Sequence, residues 1–153
     1  MSRSDAPLDR VARRLWMGSR PDPESSYSGF DVLVLSAWEY QPRGVFRVPE
    51  IIHVPLDDSG SPPTAEEVEG ALVASREVAR HRRAGRRVLV TCTAGMNRSG
   101  LIVALALRRL GVPAASAIAL VRRARGDEAL SNPWFAELVR TADLRVGAQA
   151  QRP

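Results

Sequence analysis

VLVTCTAGMNRSGLIV, at positions 88–103, joins a strand pattern to a helix pattern through a loop of small residues. The apolar and β-branched run Val88–Thr91 is typical of a buried strand. After the loop, the nearly all-apolar stretch Ser99–Leu110 predicts a buried helix. The loop therefore connects the carboxyl end of a strand to the amino end of a helix.

A loop in this position favours the binding of an anion. Backbone amides at a helix start lack partners within the helix, and the positive end of the helix dipole points outward there. Cys92 begins the loop and Arg98 closes it, so we expect a thiol and a guanidinium to face one pocket. Gly95 between them allows the backbone to curl without a Cβ clash. This surrounding favours the thiolate of Cys92, a nucleophile suited to attack phosphorus.

The spacing of Cys92, five residues, Arg98 and then Ser99 resembles the cysteine-dependent protein tyrosine phosphatase superfamily, and the Gly-x-x-Arg-Ser ending resembles its small dual-specificity branch. The resemblance implies that Cys92 is the nucleophile, that Arg98 binds the phosphate and that Ser99 eases departure of the thiolate. The alternative, a buried structural cysteine beside a chance arginine, is disfavoured because residue type, spacing and context agree. The other loop residues that would bind the phosphate are Thr93, Ala94, Gly95, Met96 and Asn97, of which Asn97 would also brace the loop.

The sequence departs from the family pattern at one position. Family members usually carry His immediately before the cysteine, where this chain has Thr91. The histidine is thought to orient the loop and help hold the thiolate. We therefore expect a weaker thiolate or slower turnover here, with the nucleophile retained.

A general acid is expected from the acidic loop that follows the strand pattern beginning at Glu50. A phosphoester's leaving oxygen must be protonated, and a carboxylic acid at the pocket rim can do this. By the resemblance, this acid is Asp58, which lies 34 positions before Cys92. Asp57 is the alternative, and a role of both acids in capping a turn would be favoured only without the cysteine loop.

The resemblance extends from about Leu15 to Leu138 and implies one α/β domain. We expect a central, mostly parallel twisted sheet with helices on both sides and the cysteine loop at the carboxyl ends of the strands. Residues 1–9 are predicted to be a flexible N-terminus, 10–145 the dual-specificity phosphatase-like catalytic domain and 146–153 a C-terminal tail. The other predicted strands are Arg14–Pro21, which ends in a turn, Phe30–Ser36 and a strand that begins at Glu50. The other predicted helices run from the Thr64–Glu67 capping box to about Ala84, over Ala114–Arg125 and onward from Pro133.

Two aromatic residues, Trp38 and Tyr40, follow the strand Phe30–Ser36 and so fall on the side of the sheet where the loop is expected. They could stack on a phosphotyrosine ring, or they could cap the core as surface aromatics. The sequence leaves both open.

Composition limits the classes of partner. All 22 basic residues are Arg, and with 17 acidic residues they give a net charge of +5. Because the two signs are mixed along the chain, they indicate solvated surfaces rather than one basic binding surface, which argues against nucleic acid as a partner. The exclusion of Lys indicates a GC-rich bacterial source. We predict a cytoplasmic protein without a membrane span. The sequence has a lone cysteine, it has no signal-like apolar run at its start, and it has no stretch of ~18 apolar residues. We further expect a monomer.

No metal or other cofactor is expected. One cysteine and two distant histidines, His53 and His81, give no spacing of metal ligands. His53 is predicted to be a packed or surface strand residue, and His81 is predicted to lie at a solvated helix end.

The function predicted from these residues and implied by the resemblance is a metal-independent phosphomonoester hydrolase that acts on phosphoprotein through a phosphocysteine intermediate, as a protein tyrosine or dual-specificity phosphatase. A non-protein substrate such as a phosphoinositide, a phosphosugar or an RNA 5′-phosphate is the first alternative, because the loop binds only the phosphate. A phosphate-binding module without turnover is the second, kept open by Thr91. A sulfur-transfer domain of the rhodanese type is the third, and the spacing to Arg98 disfavours it.

Overall fold

The computed structural model describes residues 8–145, which form five strands and four helices. The strands are β1 Leu8–Ala12, β2 Leu15–Gly18, β3 Val32–Ala37, β4 Glu50–Leu56 and β5 Val88–Thr91. The helices are α1 Ala65–Arg83, α2 Arg98–Arg109, α3 Ala114–Arg125 and α4 Pro133–Thr141. None of these helices is both long enough and apolar enough to cross a membrane.

The five strands form one sheet in the order β1-β2-β5-β3-β4. The β2–β5, β5–β3 and β3–β4 pairs are parallel, whereas β1 pairs antiparallel with β2. The predicted single α/β domain with a mostly parallel sheet is therefore confirmed.

Strand β1 was not predicted, and it begins at Leu8, inside the segment expected to be a flexible N-terminus. Its first three residues are exposed, so its sequence lacks the apolar alternation of a half-buried strand. Pairing with β2 orders it instead. The rest of that predicted segment and the predicted tail 146–153 lie outside the described residues.

The strand register brings the carboxyl ends of four strands to one edge of the sheet. Thr91 of β5 lies beside Gly18 on one side and beside Leu35 on the other. Ala37 lies beside Leu56. The segments that follow these strands consequently meet at this edge, as carboxyl ends of parallel strands do.

The two faces of the sheet are covered differently. One face packs against the helices, including the almost fully buried α2. On the other face, Leu33, Leu35 and Leu89 pack against loop residues that include Phe30 and Phe46. The prediction of helices on both sides is thus correct for one face only, because the β2–β3 and β3–β4 connections are loops rather than crossover helices.

The helix boundaries follow local sequence signals closely. The Thr64 hydroxyl accepts the Glu67 N–H and the Glu67 carboxylate accepts the Thr64 N–H, which confirms the predicted capping box. Helix α3 has the predicted bounds and ends at Gly126. On the face opposite the helices, Trp16 packs edge-on against Phe30 with ring centroids 5.2 Å apart.

Candidate active site

The loop between β5 and α2 is held by hydrogen bonds to its carbonyl groups from outside. The Arg20 N–H donates to the Thr93 carbonyl at 3.0 Å, and the Leu130 N–H donates to the Met96 carbonyl at 3.2 Å. The Arg125 guanidinium, on α3, donates through Nε to the Gly95 carbonyl at 2.9 Å and through Nη2 to the Ala94 carbonyl at 3.3 Å. Four consecutive carbonyls, those of residues 93–96, therefore point away from the centre of the loop.

Outward carbonyls turn the amides of the loop inward, because C=O and N–H lie on opposite sides of each trans peptide. The Gly95 N–H accordingly donates to the Cys92 Sγ at 3.2 Å. The neighbouring amides have no acceptor among residues 8–145. These amides are Thr93, Ala94, Met96, Asn97 and Arg98. Cys92 is 3% exposed, and its sulfur lies 3.3 Å from the Ser99 Oγ, so the thiol has hydrogen-bond donors around it as the loop interpretation requires.

Gly95 is required by this loop geometry. Its φ is +72°, a conformation that side-chain-bearing residues rarely adopt. A Cβ at this position would lie 2.7 Å from both the carbonyl carbon and the oxygen of Gly18, at the end of β2. The loop and the neighbouring strand thus approach closely enough that only glycine fits.

The Arg98 guanidinium lies in the site and is paired with Glu39, a residue that the sequence analysis did not identify. Arg98 Nη1 and Nη2 donate to the two carboxylate oxygens of Glu39 at 2.7 and 2.8 Å, and Nη1 also donates to the Leu56 carbonyl at 3.0 Å. Arg98 Nε is buried without a hydrogen-bond partner among the described residues. One donor of the guanidinium therefore stays available for an anion.

Glu39 is held as an anion by these contacts. The Arg98 hydrogen bonds, aided by the Thr93 hydroxyl and working against desolvation, lower the pKa of Glu39 to about 2. Its position two residues after the end of β3, at the edge where strand ends meet, is the only sequence signal that could have identified it.

Asp58 lies beside the loop, as predicted, and accepts hydrogen bonds there from two asparagine side chains. Asn97 Nδ2 donates to one carboxylate oxygen at 3.1 Å, and Asn132 Nδ2 donates to the other at 2.7 Å. The Asn132 N–H also donates to Asn97 Oδ1 at 2.9 Å, so the three side chains form one network. Asn97 thus connects the loop to Asp58 and Asn132, and its bracing role stays a prediction, whereas the contacts of Asn132 were not anticipated.

Asp57 is placed differently from its neighbour. Its backbone N–H donates to the Glu67 carboxylate at 2.8 Å, and its side chain has no partner among residues 8–145. The structure thus brings Asp58 rather than Asp57 into contact with the loop. Catalysis by Asp58 stays a prediction.

Thr91, which stands in place of the family's histidine, does not contact the sulfur. Its hydroxyl donates to the Val34 carbonyl at 2.8 Å, and its carbonyl accepts from the Ser36 hydroxyl at 2.6 Å. Thr91 therefore ties β5 to β3. Its expected effect on the thiolate and on turnover stays a prediction.

The two aromatics expected near the loop lie on its side of the sheet. The Trp38 side chain is exposed, with 59% of the residue accessible, and the Trp38 backbone N–H donates to the Leu56 carbonyl at 3.0 Å. The Tyr40 ring carries the Arg20 guanidinium 4.0 Å above its centroid. Exposure suits Trp38 to contact a bound molecule, although stacking on phosphotyrosine stays a prediction.

His81 is buried, at 3% exposure, which corrects the expectation of a solvated helix end. Among the described residues it forms the one group of three potential metal ligands, with Glu50 and Glu77. The charges oppose metal binding there. The Arg86 guanidinium donates to His81 Nδ1, and Arg76 and Arg80 pair with Glu77.

Comparisons with known proteins agree with this geometry. A sequence model described as the tyrosine phosphatase family matches residues 64–119, which include α1, the Cys92 loop and α2. No curated protein sequence matches the chain at a significant level.

Solved structures share the fold over nearly the whole chain. Tk-PTP in its active form is 24% identical, with a TM-score of 0.73 over 91% of this chain and 95% of that one. Human DUSP28 is 23% identical, with a TM-score of 0.71 over 94% of each chain. PTPMT1 in complex with PI(5)P is 16% identical, with a TM-score of 0.62 over 86% of this chain and 96% of that one. The resemblance to the dual-specificity branch of the protein tyrosine phosphatases is confirmed for the fold, and the family model matches the segment that contains the Cys92 loop.

Proposed function

We propose that the chain is a cysteine-dependent phosphomonoester hydrolase of the protein tyrosine and dual-specificity class, acting on phosphorylated protein without a metal. The observation that carries this proposal is the outward turn of four loop carbonyls, which surrounds the Cys92 sulfur with inward amides. Such amides suit the non-bridging oxygens of a phosphoryl group. Arg98 Nε adds a buried, charged donor.

In the first step, the Cys92 thiolate attacks phosphorus in line with the leaving oxygen. An S–P bond forms as the P–O bond to the substrate breaks, while the loop amides and Arg98 stabilise the equatorial oxygens. Asp58 supplies the proton that the leaving phenol or alcohol takes up.

In the second step, water hydrolyses the phosphocysteine. Asp58, ionised after the first step, accepts a proton from the attacking water, and the S–P bond breaks to return the thiolate. The Ser99 hydroxyl, 3.3 Å from the sulfur, donates to the departing thiolate.

The proposal is tested by hydrolysis of p-nitrophenyl phosphate in the presence of EDTA. The wild type should turn over, and Cys92→Ser should fall to background while keeping its circular dichroism and melting temperature. Acid quenching during turnover should give a Cys92-containing peptide that carries one phosphoryl group. Full activity of Cys92→Ser would overturn the assignment of Cys92 as the nucleophile. If the folded wild type showed no turnover, a phosphate-binding module would be favoured instead.

A phosphoinositide is the second candidate substrate, because the similar PTPMT1 was solved in complex with PI(5)P. Phosphate release from PI(5)P and from phosphotyrosine, phosphoserine and phosphothreonine peptides, measured under one set of conditions, distinguishes the two. We expect higher kcat/KM on the phosphotyrosine peptides. A higher value on PI(5)P would assign the lipid instead.

We also propose that the protein is a bacterial, cytoplasmic monomer. Its catalysis needs the chain's single cysteine to stay a thiol, which a reducing compartment maintains. Size-exclusion chromatography with light scattering should give a mass near 16.7 kDa, and a dimer would refute the monomer.

A further inference from the structure

A groove of about 460 Å³ lies between β4 and α1. Its apolar floor is formed by Ile52 and Val54 from the strand and by Gly70, Val73 and Ala74 from the helix. Strand β4 is an edge strand of the sheet, so no further strand from residues 8–145 covers this side. The groove plays no part in the chemistry described above.

The charged side chains that line the groove are acidic. They belong to Glu66, Glu67 and Glu77, in a protein whose net charge is +5. The other titratable residue there, His53, is neutral at pH 7, because burial lowers its pKa below the ordinary value. The groove is thus an acidic surface on a basic protein.

The acidic character is strongest at the end nearest the catalytic loop. Glu77, at the far end, is neutralised by Arg76 and Arg80. The Glu66 carboxylate is exposed and has no partner among residues 8–145. Glu66 is therefore free to pair with a cation from outside.

The groove lies next to the candidate active site. Leu56 lines it, and the Leu56 carbonyl accepts the Arg98 guanidinium at 3.0 Å. The Asp57 N–H donates to the Glu67 carboxylate, and the next residue is Asp58. A chain whose phosphorylated residue occupies the Cys92 loop can therefore continue along α1.

We propose that this groove binds a basic and apolar segment of the phosphoprotein substrate, an inference that rests on the proposed function. An aliphatic side chain of the substrate packs over Gly70, where the missing side chain leaves room, and a neighbouring Arg or Lys pairs with Glu66. Binding through side chains suits this edge, because Pro55 has no N–H to offer an added strand. The groove thereby selects substrates by the sequence that flanks the phosphorylated residue.

Two variants test the groove without touching the loop. Gly70→Leu fills the floor, and its Cβ would meet Val54 at an ordinary 3.6 Å, so the fold should tolerate it. Glu66→Arg reverses the charge at the end near the site. Glu69→Arg makes the same charge change on α1 outside the groove and serves as the control.

The substrates are two phosphotyrosine peptides, one flanked by Arg-Leu-Arg on both sides and one by Ser-Leu-Ser, with p-nitrophenyl phosphate as a substrate that cannot reach the groove. Wild type and Glu69→Arg should prefer the basic peptide by about tenfold in kcat/KM, and the preference should shrink as salt rises. Glu66→Arg should abolish the preference, and Gly70→Leu should raise KM for both peptides about tenfold. None of the three variants should alter p-nitrophenyl phosphate hydrolysis.

Equal kcat/KM of the wild type on the two peptides would overturn the groove proposal while leaving the phosphatase intact. An enzyme inactive on every substrate would instead overturn the proposed function. In that case, fluorescence anisotropy of the unphosphorylated basic peptide decides the groove separately. Binding lost in Glu66→Arg but kept in Glu69→Arg supports it, and equal binding to both variants refutes it.

Discussion

Replacement of Gly95 by Ala isolates the close contact between the catalytic loop and β2. Alanine would have to adopt a φ of +72°, which costs an L-residue about 1–2 kcal/mol. Its Cβ would also lie 2.7 Å from the Gly18 carbonyl and 2.5 Å from Arg125 Nη2. The Gly18 atoms are backbone and cannot rotate away, so the loop itself must move.

The size of the effect follows from adding the contact to the backbone cost. Overpacking of this kind typically costs about 1–3 kcal/mol, so we expect Gly95→Ala to lose ~2–5 kcal/mol of the free energy of unfolding. Gly44→Ala is the matched control. Its φ of +78° is similar, and nothing lies within 4 Å of its Cβ, so it should lose only the backbone part of about 1–2 kcal/mol.

Urea denaturation of both variants measures these losses, and p-nitrophenyl phosphate hydrolysis measures the consequence for the site. A shift of about 1 Å in a catalytic group can cost on the order of 100-fold in rate, so Gly95→Ala should lose about two orders of magnitude in kcat/KM. Gly44→Ala should keep wild-type activity. Equal stability of the two variants, with full activity of Gly95→Ala, would refute the packing argument.

Three further predictions concern charged residues around the loop. Glu39→Gln should be less stable than wild type by about 1 kcal/mol at pH 7, since the pair is partly exposed and screened. Because the pKa of Glu39 is lowered to about 2, this difference should persist above pH 4.5 and vanish in urea titrations as the pH falls towards 2. Arg125→Lys lacks the planar guanidinium that reaches the Gly95 and Ala94 carbonyls through two nitrogens, so it should lose about 1–2 kcal/mol and about tenfold in kcat/KM; wild-type values would show that the contacts are dispensable. Asp58→Asn should reduce kcat on alkyl phosphates about 100-fold and on p-nitrophenyl phosphate much less, whereas Asp57→Asn should stay within twofold, and the reverse order would move the acid to Asp57.

The local parts of the site could be predicted from the sequence. Cys92, Arg98 and Ser99 lie within eight consecutive residues, so their relation depends only on a strand, a loop and a helix in series. The capping box at Thr64 and the bounds of α3 are local in the same sense. Residues that are close together in the sequence determine such features, so they can be recognised from a single sequence.

Contacts between distant segments could not be predicted in this way. Glu39 meets Arg98 across 59 positions because β3 lies beside β5 in the sheet, an order that the sequence does not state. His81 was assigned to solvent from its arginine neighbours, yet it faces Glu50 of β4. The spacing typical of the family favoured Asp58 over Asp57 as the general acid, but no physical argument from the sequence could do so. The contact that places Asp58 beside the loop comes from Asn132, at the start of α4.

Leu130 shows how far the loop depends on the rest of the fold. It is buried with a φ of +58°, a strained conformation for a residue with a side chain, and nothing in its sequence indicates this. The Leu130 N–H supports the Met96 carbonyl, while Arg122 holds the Leu130 and Ala129 carbonyls at 3.1 and 2.9 Å.

The strain at Leu130 is therefore balanced by contacts that also hold an outward carbonyl of the catalytic loop. The other loop carbonyls are held by Arg20, after β2, and by Arg125 at the end of α3. Because each support comes from a different segment, the loop cannot take this shape as an isolated peptide. The inward amides around Cys92 exist only once β2, α3 and the α3–α4 connection have assembled around them, which makes the anion site a property of the whole domain.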